Sequence, residues 1–211
     1  QNGDNGNSKE LPGDYILKDV NGDGVVNDLD KTPLFWSGSP LIHYGFNVEA
    51  SWKNFDFYAL FQGSALYTVQ FDEVYAKMLC FKGGNTPEYF YDRWHLSDPY
   101  DANSEWIPGE WPAIRLEQDM GSFYTRDSQI WRKNASYLRL KTIEIGYTFS
   151  PRLMHKLGIG SLRIYANGNN LFTVCDPFVK AFDPEKIEGD YSAGLNYPLN
   201  KSFNFGLTLN F

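Results

Sequence analysis

Long apolar runs are missing from this chain of 211 residues. Nothing approaches the roughly 18 consecutive apolar residues that a membrane-crossing helix needs. That excludes a helical membrane protein and leaves a membrane barrel open, because alternating strands average out to a polar composition. Cysteine is scarce as well. Cys80 and Cys175 lie far apart and outside any CxxC spacing, so there is no disulfide framework, and a single bridge between them stays open. Basic residues are outnumbered, 19 Lys and Arg against 26 Asp and Glu for a net charge of −7. This argues against nucleic acid and against a basic membrane-surface helix as partners. No glycine-rich phosphate cradle occurs, and His43, His95 and His155 stand isolated from any Ser or Cys that could complete a triad. Glu105 and Glu110 could flank a glycosidic bond, but an acidic pair in an acidic loop is ordinarily solvated surface.

What is abundant is aromatic side chain, 16 Phe, 14 Tyr and 6 Trp, and much of it alternates. In Ser202 to Phe211, the residues Phe203, Phe205, Leu207, Leu209 and Phe211 alternate without a break against polar or small neighbours. A period of two is the pattern of a strand with one apolar and one polar face. Tyr44, Phe46, Val48, Ala50 and Trp52 repeat it, Lys53-Asn54 reads as a two-residue turn, and Phe55, Phe57, Ala59 and Phe61 return. Each run has roughly the 9–11 residues of a tilted membrane strand. Two more strands are predicted at 137–149 and 162–171. In the first, Leu138 and Leu140 are out of phase with Ile143, Ile145 and Tyr147, which predicts a bulge near Thr142. The terminal strand places Leu207 near the middle of the span.

Between these strands the pattern lapses. Residues 1–13 are rich in Gly and Asn and read as poorly ordered, as the middle of a loop in a larger protein. Residues 63–135 lack sustained periodicity apart from a short predicted helix over Asp72 to Phe81. Their Trp94, Trp106 and Trp111 could stack on sugar rings or pack the loop against itself. Residues 150–160 read as a short polar turn, and 173–200, with Pro177, Pro184 and Pro198, as a second long loop. Short connections therefore alternate with long ones, the pattern of a transmembrane barrel.

One stretch carries metal chemistry. Counting Asp19 as position 1, oxygen-bearing residues recur at 1, 3, 5, 9 and 12 with glycine at 6, as in an EF-hand calcium loop. Asp19, Asn21 and Asp23 offer side-chain oxygens, Val25 a backbone carbonyl, Asn27 the ninth position and Asp30 the closing carboxylate; Gly24 permits the turn. Asp rather than Glu at position 12 is similar to the dockerin version. Pro33 and Pro40 forbid a following helix, so Ca2+ is expected in a structural role; the other reading is an Asx-rich turn without metal.

Taken together, Pro12-Gly-Asp-Tyr-Ile-Leu-Lys-Asp-Val-Asn-Gly-Asp-Gly24, Tyr44-Gly-Phe-Asn47, Trp52-Lys-Asn-Phe-Asp56, Ala135-Ser-Tyr-Leu-Arg-Leu-Lys141, Ile145-Gly-Tyr147, Leu162-Arg-Ile-Tyr165, Asn169-Asn-Leu171, Phe182-Asp-Pro-Glu185 and the terminal Phe-Gly-Leu-Thr-Leu-Asn-Phe211 resemble the C-terminal end of SusC/RagA-type TonB-linked outer membrane proteins. The resemblance implies an all-β fold, the last five or so antiparallel strands of a 22-stranded barrel, multi-pass in the outer membrane of a Gram-negative bacterium. It implies extracellular segments at 1–42, with the calcium-type loop 19–30, and at 63–135 and 173–200. It further implies a plug, the rest of the barrel, TonB and a SusD-like surface lipoprotein as partners. The implied activity is import of oligosaccharides or peptides, without enzymatic chemistry in this chain. Phe211 is implied as a signal to the barrel-insertion machinery, and the Asn134-Ala-Ser136 sequon loses its meaning there. A secreted, calcium-stabilised β-sandwich that binds carbohydrate is the rival expectation.

Overall fold

The computed structural model describes residues 12–14, 16–33, 35–71, 88–113, 129–185 and 196–211. They fall into two compact units, one drawn from residues 1–34 and 71–131 and the other from 35–70 and 132–211.

The second unit is built on five long antiparallel strands: β1 (Ile42–Trp52), β2 (Phe55–Ala65), β7 (Tyr137–Thr148), β8 (Ser161–Val174) and β9 (Ser202–Asn210), in the order β1-β2-β7-β8-β9. The five-strand, all-β expectation is met. Lys53 takes φ +56° in the two-residue turn that joins β1 to β2, and the Thr148 N–H donates to the Asn54 carbonyl at 2.9 Å to tie the turn to β7. The register stacks apolar residues in rows across the sheet. One row is Trp52, Phe55, Tyr147, Ile164 and Leu207; the next is Ala50, Phe57, Ile145, Ala166 and Phe205; a third is Val48, Ala59, Ile143, Gly168 and Phe203. Beyond these comes Phe46, Phe61, Leu140 and Phe172. Because side chains alternate sides, the intervening rows put Gln62, Arg139 and Thr173, or Tyr58, Glu144, Asn167 and Asn204, on the opposite face.

The expected bulge is present: β7 is irregular between Leu140 and Thr142 against both neighbours, which leaves Lys141 as the extra residue. On β8 the matching irregularity holds Asn170 at φ +53°. It brings Leu138 and Leu140 onto the apolar face with Ile143 and Ile145.

The apolar face has no covering layer among the described residues. Trp52 is 67% exposed, Phe203 69%, Phe205 85% and Leu207 67%. A sandwich buries such a face under a second sheet; a membrane barrel turns it to lipid. The two short connections, 53–54 and 149–160, and Phe211 lie at one end of the sheet, and the long ones at the other.

Three sequence expectations need correction. Residues 150–160 are not merely a turn: helix α1 (Pro151–Lys156) starts with Pro at its first position, where the missing N–H costs nothing, and buries Met154. The span 63–135 is not structureless. β2 runs on to Ala65, β3 (Thr68–Gln70) pairs with β6 (Arg132–Asn134), and β4 (His95–Leu96) pairs with β5 (Trp106–Ile107). These strands are too short for periodicity to reveal. Likewise β8 continues to Val174, and helix α2 (Pro177–Lys180) is capped by Asp176, whose Oδ1 accepts from the Phe178 and Val179 N–H groups. The predicted helix at Asp72–Phe81 lies outside the described residues, as does Cys80; Cys175 is a half-buried free thiol. Leu207 shares its row with Trp52, Phe55 and Tyr147, and it is the sixth of the nine residues of β9 (Ser202–Asn210).

Candidate functional site

The polar face carries two ionic clusters at opposite ends of the sheet. Near the short turns, Arg163 on β8 donates from Nη2 to Asp56 Oδ2 at 2.5 Å and to Glu144 Oε1 at 2.8 Å, joining three strands. Asn167 adds a bond to Glu144 Oε2 at 3.3 Å and accepts one from Asn204 at 2.8 Å. Glycine at position 146 makes this possible, since a Cβ there would lie 2.3 Å from Arg163 Nη2 and 2.4 Å from Asp56 Oδ2. An arginine or lysine facing lipid at mid-membrane costs about 2–4 kcal/mol; these charges lie instead on the polar face and neutralise one another.

At the other end, Arg139 on β7 is 3% exposed and fully engaged. Its Nε donates to Thr173 Oγ1 at 2.8 Å, Nη1 to Glu185 Oε2 at 2.8 Å, and Nη2 to Asp183 Oδ1. Lys141, the bulge residue, donates to Glu185 Oε1 at 2.6 Å. Asp183, 4% exposed, also accepts from the N–H groups of Glu185 and Leu199, the latter at 2.7 Å. Burial pushes the Asp183 carboxyl up, but the bonds from Arg139, Leu199 and Glu185 outweigh it and hold the group below the usual carboxylate range. The Tyr67 hydroxyl donates to the Pro184 carbonyl at 3.1 Å, between the two acids, and Val179 and Ala135 are fully buried. Periodicity could not have found this site; the signal lay in two charged residues, Arg139 and Lys141, inside an apolar strand, and in Asp183-Pro-Glu185 far along the chain.

In the other unit, the three candidate tryptophans part company. Trp111 is 7% exposed and sits among Tyr89, Phe90 and Trp131, with ring centroids 4.6 Å from Tyr89 and 5.3 Å from Trp131. Its face is spent on packing. Trp94 and Trp106 are half-buried, Trp106 on β5 and Trp94 tied by its backbone N–H to the Trp111 carbonyl at 2.9 Å. Glu105 and Glu110 are both exposed.

The loop at 19–30 is closed by its own backbone. Asp19 accepts from the Gly22 N–H at 2.6 Å and the Gly24 N–H at 2.7 Å, and Gly22 and Gly24 have φ +79° and +86°. Asn21 accepts from the Asp23 N–H and Asp23 from the Val25 N–H, both at 2.8 Å. Asn27 caps a short 3-10 turn at Asp28–Asp30, and Asp30 reaches back to accept from the Asn27 N–H at 2.7 Å and the Val20 N–H at 2.8 Å. Those backbone bonds, Asn27 first and Val20 next, hold the Asp30 carboxyl below its usual range. The donor set is all hard oxygen and so suits calcium rather than a soft metal. Among the described residues, no three His, Cys, Asp or Glu side chains are gathered closely enough to hold a metal as they stand.

An antiparallel sheet with one bare apolar face, one ion-paired polar face and its short turns at one end defines a membrane-barrel wall. No family model matches the chain. It is 27% identical over 208 residues to TonB-dependent receptor P3 of Formosa agariphila, covering 95% of this chain and 19% of the relative. With TonB-dependent receptor P26 of the same organism it shares 28% over 214 residues, covering 96% of this chain and 20% of that one. Among solved structures, it superposes on the RagAB peptide transporter with a TM-score of 0.64 at 24% identity, covering 89% of this chain and 19% of that one. On the RagAB peptide importer in its closed-closed state the TM-score is 0.66 at 25% identity, covering 93% and 21%. The homologues of this chain are TonB-dependent receptors and its fold matches RagAB; the C-terminal portion of a SusC/RagA-type receptor fits both. The chain spans about a fifth of the length of the curated relatives it matches.

Proposed function

We propose that this chain supplies five wall strands and the surface loops of an outer membrane, TonB-dependent importer in a Gram-negative bacterium. The observation that carries this reading is the two-faced sheet, whose apolar rows lie bare while its polar rows are ion-paired. The homology to TonB-dependent receptors supports it. In this reading the apolar face meets lipid, the polar face lines the lumen, the short turns are periplasmic and the long connections extracellular. The open sides of β1 and β9 pair with further strands of the barrel. TonB and a SusD-like lipoprotein are the partners, and the cargo is an oligosaccharide or a peptide; the RagAB match bears on the peptide. The role of this chain is passive: it walls the passage and shapes its mouth, without chemistry of its own. Calcium at residues 19–30 is part of the proposal, with Asp19, Asn21, Asp23, Val25, Asn27 and Asp30 as ligands and rigidity of a surface loop as its contribution. Of the three candidate tryptophans, Trp94 and Trp106 remain for cargo or lid to touch, beside the more exposed Tyr91 and Tyr100.

The test is uptake by cells carrying the whole protein, with and without TonB, of labelled oligosaccharides and peptides. Accumulation that needs TonB and loss of lipoprotein co-purification when residues 88–113 are replaced by a Gly-Ser linker are expected. Cargo uptake that is indifferent to TonB would overturn the reading.

A further inference from the structure

We propose that residues 175–185, with Leu199 beyond them, form a strap pinned by Arg139 to the polar face, a stationary part of the passage lining rather than a mobile lid; the word passage rests on the function proposed above, the pinning does not. Arg139 and Thr173 share a register row with Gln62, which places the guanidinium on the polar face. From there its three nitrogens reach three different residues, two of which, Asp183 and Glu185, belong to the strap. A buried charge pair of this kind survives only when its remaining donors and acceptors are also bonded, and here they are: both Asp183 oxygens and both Glu185 oxygens have partners.

The backbone agrees. Asp183 has φ +63°, a conformation that a non-glycine residue keeps only where its surroundings over-determine it. That geometry aims one carboxylate at β7, at the Glu185 N–H and at the Leu199 N–H together. The chain on both sides of residues 186–195 is thus anchored to a single side chain. Val179, fully buried, and the Tyr67 hydroxyl on the Pro184 carbonyl add apolar and polar seating under the strap. A lid that opens needs few buried contacts; here Val179, Asp183 and Pro184 are buried.

Amide exchange and trypsin cleavage, on detergent-purified protein of the full natural length, test the proposal. In the unaltered protein, residues 177–185 should exchange far more slowly than the exposed turn at 98–105, and Lys180, though exposed, should resist trypsin. Arg139→Met or Asp183→Asn should speed exchange at 177–185 and at Leu199 by at least about a hundredfold, and expose Lys180 to cleavage, while residues 55–61 and 161–168 stay protected. Glu185→Gln, the milder change, should give a smaller effect in the same residues, and Asp56→Asn at the other end of the face none. Arg139→Lys should restore part of the protection that Arg139→Met removes. A strap that exchanges as fast as 98–105 in the unaltered protein overturns the proposal. So does a folded Asp183→Asn protein with unchanged exchange and cleavage. Neither outcome depends on cargo or TonB, so the pinning can fail while the importer reading stands, and the reverse.

Discussion

Arginine placed along the apolar rows should cost stability according to depth. Successive apolar positions on one strand are two residues apart, about 6.7 Å, which at a tilt of about 40° is about 5 Å of depth. Rows across the sheet tilt with the strands, so depth is compared along one strand. On β7, Tyr147 packs against Phe55 and Phe149 beside the short turns and marks the lower aromatic border. Ile143 lies two apolar positions further along, about 10 Å deeper, towards the middle of an apolar band about 25 Å tall. Ile143→Arg should lose about 2–4 kcal/mol, while Tyr147→Arg near the interface should lose only about 0–1 kcal/mol. Asn204→Arg, on the opposite face with Glu144 and Asn167, should lose less than about 1 kcal/mol. Urea unfolding of the barrel in lipid vesicles, read by tryptophan fluorescence and by heat-dependent gel mobility, measures all three. If Asn204→Arg proved as harmful as Ile143→Arg, the assignment of faces would be wrong and the barrel reading with it. A flat cost across Ile143 and Tyr147 would refute the depth argument alone.

Gly146→Val should force apart Arg163 and Asp56, since its Cβ would overlap both, and cost on the order of 1–3 kcal/mol in the same unfolding assay, with Gly146→Ala closer to the low end. Calcium at millimolar concentration should protect residues 16–33 from proteolysis in the natural protein and not in Asp23→Ala, whereas equal protection by magnesium, or none by calcium, would rule out a calcium loop. Deleting Phe211 should lower the amount of barrel inserted more than the urea midpoint of barrel already folded; an equal loss in both would make Phe211 one more lipid-facing aromatic. The strap should show an acid limit. Because the Asp183 carboxyl titrates below its unfolded value, its contribution is complete above about pH 4 and is lost as pH falls through the lower folded value. Arg139, Glu185, Lys141, Tyr67, Tyr137 and Cys175 are the groups that face it, and burial pushes the Tyr67 hydroxyl and the Cys175 thiol up, so strap exchange that changed between pH 6 and 7 would contradict the acid limit.

The sequence by itself determined the long strands and their faces, because an apolar residue at every second position leaves a β-strand no choice of which side to bury or expose. Even the bulge at Lys141 was legible, as a phase break between Leu140 and Ile143 that only an extra residue repairs. The tertiary structure alone decided where the polar residues went. More than forty positions separate Arg139 and Lys141 from Asp183 and Glu185, and no period links the two pairs, so only the docking of the strap brings them together. It also decided that Trp111 packs against Trp131 while Trp106 lies on a two-residue strand. Tryptophan suits a sugar platform and a loop core equally well, and composition carries no information about which neighbour will cover its face.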